Sequence, residues 1–231
     1  MKSAPSGIAS ATDYYRNYVE SLSRQNRQLF TSPLVWQFDT ADLPLKPSHV
    51  FPNVCCLFLE IGFGHGEVLE ELVQKRTDTG FIGIERRPPR VNKALKRLHR
   101  TGCPNVRLIR ANLDLIPAPL FAPESFDEIL INHPDPWPKR RHEHHRFFRA
   151  ARMDWLASIL KSGGTIEVAS DQSAYFFEIL RLFQEDSRFS SLLPPPFYSD
   201  DPLPDRPMSR FEKRCRSQGS TVRILRFRKN Q

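Results

Sequence analysis

A chain of 231 residues can bury one sizeable core, and its 39% apolar content, with 17 Phe and 3 Trp spread along it, excludes general disorder. Lys and Arg outnumber Asp and Glu by 34 to 26, a net charge of +8 that points to a polyanionic partner. No apolar run reaches the roughly 18 residues of a membrane span, and the polar start Met1–Gly7 has no apolar stretch behind it, so the expected setting is cytoplasmic.

Apolar periodicity predicts a first helix from about Asp13 to Leu29, started by Thr12, with Tyr15, Tyr18, Val19 and Leu22 on one face. A proline-punctuated stretch from Pro33 to Pro52 follows, so residues 1–50 read as an N-terminal extension, helical then irregular, ahead of a main domain at 51–231. That domain opens with an apolar strand, Val54–Leu59, a glycine turn, and a helix carrying Val68, Leu69, Leu72 and Val73 on one face. The unit recurs as strand Phe81–Ile84 with a helix near Val91–Arg100, strand Val106–Ile109 with a short crossover, and strand Glu128–Ile131 with a helix near Arg149–Leu160. A fifth strand, Thr165–Ala169, precedes a helix around Ala174–Phe183, whose Phe176, Phe177, Leu180 and Phe183 read as core. Strands joined by helix-length connections predict an α/β fold: a largely parallel central sheet with helices on both faces. The six prolines of residues 194–207 mark an exposed loop, either a lid or a surface insertion, and Thr221–Phe227 reads as a late antiparallel strand. Cys55, Cys56, Cys103 and Cys215 form no CxxC pair and read as reduced packing residues, with no metal site expected.

Glu60-Ile61-Gly62-Phe63-Gly64-His65-Gly66 follows the first strand and opens a helix, where α/β sheets bind nucleotide-like ligands. A dinucleotide fingerprint needs glycine at 67, which here is Glu67. Acidic residues at successive strand ends, Glu60 and Glu85, instead suit a ligand with an amino-acid cation at one end and a ribose diol at the other, as in S-adenosyl-L-methionine. Gly62 and Gly64 would let the backbone approach it closely, Glu85 would accept from the ribose hydroxyls, and Asn112, past the third strand, would read the adenine edge.

The most specific stretch is Asn132-His133-Pro134-Asp135-Pro136-Trp137-Pro138-Lys139-Arg140-Arg141-His142, where three prolines in five residues present one carboxylate rigidly after the fourth strand. Trp137 could stack on a flipped base or pack beneath the loop. Together with the EIGFG loop, the strand ending GIE and a later Ser209-Arg210-Phe211-Glu212 preceded by Arg206-Pro207, this segment resembles the bacterial tRNA (guanine-N7)-methyltransferases over most of the chain from about residue 54.

The resemblance implies a Rossmann-like class I methyltransferase fold and methylation of N7 of a variable-loop guanine of tRNA, guanine 46. It implies cofactor contacts at Glu60, Glu85, Asn112 and Asp135, with Asp135 the catalytic residue. Guanosine contacts are implied at Lys139, Asp171 and the segment Ser209, Arg210, Phe211 and Glu212. An RNA-facing run is implied at Arg141, His142, Glu143, His144, His145 and Arg146. No membrane and no obligate protein partner is expected. Three departures from the family pattern stand out: Ser209 replaces Thr, His133 replaces an aromatic residue, and Glu143-His144-His145 dilutes a stretch richer in Lys and Arg. Positive residues also crowd 86–100, namely Arg86, Arg87, Arg90, Lys93, Lys96, Arg97 and Arg100, which fits phosphate binding. Methylation of a small molecule or protein, and RNA binding without catalysis, are the alternative readings.

Overall fold

The computed structural model describes residues 11–116 and 120–231. Five parallel strands form most of a seven-stranded sheet: β1 (Cys56–Ile61), β2 (Thr79–Glu85), β3 (Val106–Arg110), β4 (Phe126–Asn132) and β5 (Leu160–Ser170). β7 (Arg223–Lys229) runs antiparallel to β5 and carries the short β6 (Phe189–Ser191) on its other side, giving the order β3-β2-β1-β4-β5-β7-β6. The α/β expectation with its antiparallel late strand therefore holds. β6 was not foreseen, because three residues are too few to show a period.

The strands are apolar on both faces, as a covered parallel sheet requires. Leu57, Leu59 and Ile61 point to one core with Ile129 and Ile131, where helices α1 (Ala11–Leu29), α5 (Ala150–Ile159) and α6 (Ser173–Glu185) pack. Phe58, Phe81 and Leu130 point to the other, under α3 (Glu67–Lys75) and α4 (Pro88–Leu98). α2 (Pro47–Val50) is one turn, and α7 (Arg210–Ser217) packs through Cys215 near Ile224.

The N-terminal region shares these cores rather than standing apart. Val19 and Leu22 of α1 are 0% and 2% exposed, and Val35 bridges to Leu108 beside the β3 edge. Helix α1 already includes Thr12, so the residue that caps it lies outside the described residues. Two packing expectations need correction. Phe177 is 43% exposed, because the buried face of α6 is Tyr175, Phe176, Ile179, Leu180 and Phe183. Phe177 instead lies under the Arg223 guanidinium. Cys55 is also exposed, its Sγ donating to Asp78. No helix among the described residues is long and apolar enough to cross a membrane.

Candidate active site

The strand order reverses between β1 and β4, so their C-terminal ends part and leave a crevice at the switch point of the sheet. A cavity of about 840 Å³ opens there, lined by Glu60, Gly62, Gly64, Asp135, Asp171 and Phe211 among others. A smaller one of about 150 Å³ lies toward Glu85 and Asn112. The two share Gly62, Arg90 and the segment Asn132–Asp135.

Glu60, near the end of β1, is 2% exposed, and its Oε2 is buried with no hydrogen-bond partner. Burial pushes its carboxyl up to about 8, offset only in part by the Asn132 amide and the Arg206 charge. Beyond it, Gly62 and Gly64 take φ of +79° and +58°, and a Cβ at either would meet nothing within 4 Å. The backbone there borders open space. Glu85, at the end of β2, is 3% exposed; its Oε1 accepts from Arg87 N at 2.9 Å and its Oε2 lies 3.4 Å from Arg90 Nη1. Asn112 follows β3, its Oδ1 accepting from Asp114 N at 3.2 Å while its own N donates to the Tyr18 hydroxyl of α1 at 3.1 Å. An unmatched buried carboxyl oxygen, an open glycine floor and a buried acid at the next strand end together fit S-adenosyl-L-methionine: a cation for Glu60, close backbone approach, and a diol for Glu85.

Across the crevice, the Pro-Asp-Pro segment is bracketed by two residues in the left-handed region, His133 at φ +49° and Trp137 at +41°. Such backbone is strained for non-glycine residues and concentrates at functional sites. Asp135 projects between them, its side chain 62% exposed and its Oδ2 2.9 Å from Arg86 Nη2 at the end of β2. Asp171, at the end of β5, is held on both oxygens: His133 Nδ1 lies 3.0 Å from Oδ1, and Gln172 Nε2 donates to Oδ2 at 2.7 Å. The His133 contact is the main reason its carboxyl is held down to about 2.

The segment 209–212 divides by role. Ser209 caps α7, its Oγ accepting from Glu212 N at 3.1 Å. Arg210 and Phe211 line the larger cavity. Glu212 is 0% exposed and pairs with Arg206 and Arg216, so it anchors the helix from below. Arg206 is the hub of this anchor. It is 7% exposed, closes the proline-rich loop, and bonds Glu212, Glu167 of β5 and the Asn132 Oδ1 beside Glu60. Asp205 pairs in turn with Arg226 of β7, so the loop's far end is pinned to the sheet.

The basic run after Trp137 forms a 3₁₀ helix at Arg140–His145. Trp137 packs among its imidazoles, 5.7 Å from His142 and 5.0 Å from His145 between ring centroids. Lys139, Arg141, Glu143, His144 and His145 are exposed. Arg146 is committed inward, donating to Pro136 O at 2.9 Å and to Glu178 at 2.7 Å, so it braces the Pro-Asp-Pro loop. Within 86–100, Arg97 pairs with Glu67 and Glu70, whereas Arg87, Lys93, Lys96 and Arg100 are exposed. Sequence reasoning missed Arg86 as the partner of Asp135 and Arg206 as a buried hub. An arginine closing an acidic, proline-rich loop was the available signal for the second.

A family model described as a putative methyltransferase matches residues 55–225. The tRNA (guanine-N(7)-)-methyltransferase of Rhizobium etli is 33% identical over 96% of this chain and 98% of its own. That of Leptospira interrogans is 31% identical over 77% of this chain and 81% of its own. Among solved structures, the antibiotic-resistance methyltransferase Kmr superposes with a TM-score of 0.55 at 16% identity, covering 85% of this chain and 95% of its own, which shows the shared fold. With a crevice that fits S-adenosyl-L-methionine and this degree of likeness along most of its length, the chain belongs to the tRNA (guanine-N(7)-)-methyltransferase family of class I methyltransferases.

Proposed function

We propose that the chain methylates N7 of a variable-loop guanine in tRNA. The observation that carries this reading is the facing of two different walls across one crevice. Glu60, Gly62, Gly64, Glu85 and Asn112 form a floor suited to the methyl donor, and Asp135, Asp171, Arg210 and Phe211 form a rim suited to a base. When bound, S-adenosyl-L-methionine supplies an electrophilic sulfonium methyl.

Guanine N7 has a free lone pair at neutral pH, so no residue has to remove a proton before attack. What the protein must supply is alignment and charge. The Asp135 carboxylate, steadied by Arg86, lies between the two cavities, where positive charge moves onto the purine, and it stabilises that shift. Asp171 is ionised throughout the physiological range and fixed on both oxygens, which suits a carboxylate accepting from the N1–H and N2–H₂ donors of guanine. Lys139, the exposed Arg141, His144 and His145, and the half-buried His142 take phosphates beside the site, with Glu143 as a lone negative member and Arg146 as their brace. Arg87, Lys93, Lys96 and Arg100 extend the cationic face.

Incubation with methyl-labelled donor and bulk tRNA, followed by borohydride–aniline cleavage, should place N7-methylguanosine in the variable loop. Label incorporated without cleavage there would overturn the reading. Asp135→Ala should lower turnover about 10²–10³-fold, as loss of a preorganised charge does, while melting temperature stays unchanged.

A further inference from the structure

One imidazole on the rim is left without a task by the reading above. His133 follows β4 and is 12% exposed on its side chain. Its backbone N donates to Ala169 O at 2.8 Å, tying it to β5, and its φ is +49°. Its Nδ1 lies 3.0 Å from Asp171 Oδ1, and because that carboxyl is ionised, Nδ1 carries the proton and donates. The other face of the ring meets α7: the His133 and Phe211 centroids are 4.6 Å apart at 70°. Nε2 is buried and unpartnered. The ring therefore joins the two parts of the rim that a purine would touch, a carboxylate and an exposed aromatic, and it borders both cavities.

We propose that His133 is a positioning residue that sets the acceptor base by orienting Asp171 through Nδ1 and supporting Phe211 with its ring. The proposal rests on the guanine reading above. Two of the three elements forming the rim, the β5 end and α7, contact one another there through this side chain. A hydrophobic ring at 133 would support Phe211 equally but would leave Asp171 held by Gln172 alone, less firmly oriented and easier to protonate.

The test compares His133→Asn, whose amide nitrogen is attached to Cγ as Nδ1 is, with His133→Phe, which keeps a ring and loses the donor. Asn also tolerates positive φ. For His133→Phe, the expected result is a KM for tRNA raised about tenfold, kcat within about twofold, and an unchanged donor Kd by calorimetry, the pattern of lost uniform binding. His133→Asn should stay within about threefold of the native KM. Carboxyl ¹³C titration should find Asp171 protonating at higher pH in His133→Phe and near its native pH in His133→Asn. If His133→Phe fails to fold, His133→Gln takes its place, since its amide sits one bond too far out to replace Nδ1. A native KM in the donor-less variant, equal rises in both variants, or an unmoved Asp171 titration would overturn the proposal. A wild-type chain that methylates no guanine N7 would instead overturn the reading on which it rests.

Discussion

Floor and rim of the crevice each hold a carboxyl group displaced from its ordinary value, Glu60 on one and Asp171 on the other, and the two are displaced in opposite directions. Glu60 is enclosed at the end of a central strand and is pushed up to about 8, while Asp171, a few strands along, is held down to about 2 by its donors. The floor is built by parallel strand ends whose side chains are buried by the fold itself. The rim consists of loop and helix pieces joined by side-chain contacts: Arg206 to Glu212, His133 to Asp171, Arg86 to Asp135. Burial that outweighs its partners makes a group wait for its ligand; partners that outweigh burial make it ready in advance.

The most forceful way to break this contrast is Arg206→Met, which takes one of two arginine partners from each of two buried carboxylates, leaving Glu212 with Arg216 and Glu167 with Arg226. Loss of one member of a buried ion pair costs about 3–5 kcal/mol, and the melting temperature should fall by roughly 10 °C for a chain of this size. Arg86→Met removes an ion pair whose acid is 62% exposed, so its melting temperature should move by less than about 2 °C.

The contrast sharpens with pH. A cation entering beside Glu60 requires the ionised carboxylate, so donor affinity should rise by up to about tenfold per pH unit between about 6 and 8 and level off above that. Calorimetry in buffers of differing ionisation heat should detect a proton released on binding, and Glu60→Gln should remove both effects. The linked stability runs the other way. Because the folded-state value lies above the ordinary 4.5, the unliganded fold loses stability as pH rises from about 4.5 through about 8, and bound donor should restore it in thermal scans.

Smaller effects mark the periphery. Ser209→Ala removes the α7 cap and should cost about 1 kcal/mol in chemical denaturation. Replacing Lys93 or Lys96 by Gln should each reduce the slope of log affinity for tRNA against log salt by about 1, with the slope measured by titration.

The floor was legible because its members sit at or just past strand ends, where a continuous apolar run stops and the backbone direction is known. Glu60, Glu85 and Asn112 follow from that rule alone. The Pro-Asp-Pro segment was legible for a different reason, since proline restricts the chain whatever surrounds it. The links across the rim were not. Arg206 and Glu212 are six residues apart, the first noted only as part of a motif and the second as an implied guanosine contact, and only the packing of α7 onto β5 and β7 removes them from water. The pairing of His133 with Asp171 joins residues 38 apart, and Arg86 meets Asp135 only because β1 lies between their two strands in the sheet. Phe177 misled because helical spacing gives the width of an apolar stripe but not its edge.

The orphaned oxygen of Glu60 has one more effect. A carboxyl that keeps its proton near neutral pH offers no net charge to magnesium or potassium, ions that crowd around RNA. The niche around Glu60 is thereby shielded from inorganic competitors below about pH 8, where an ammonium group with the right organic framework draws out the negative charge by displacing the proton.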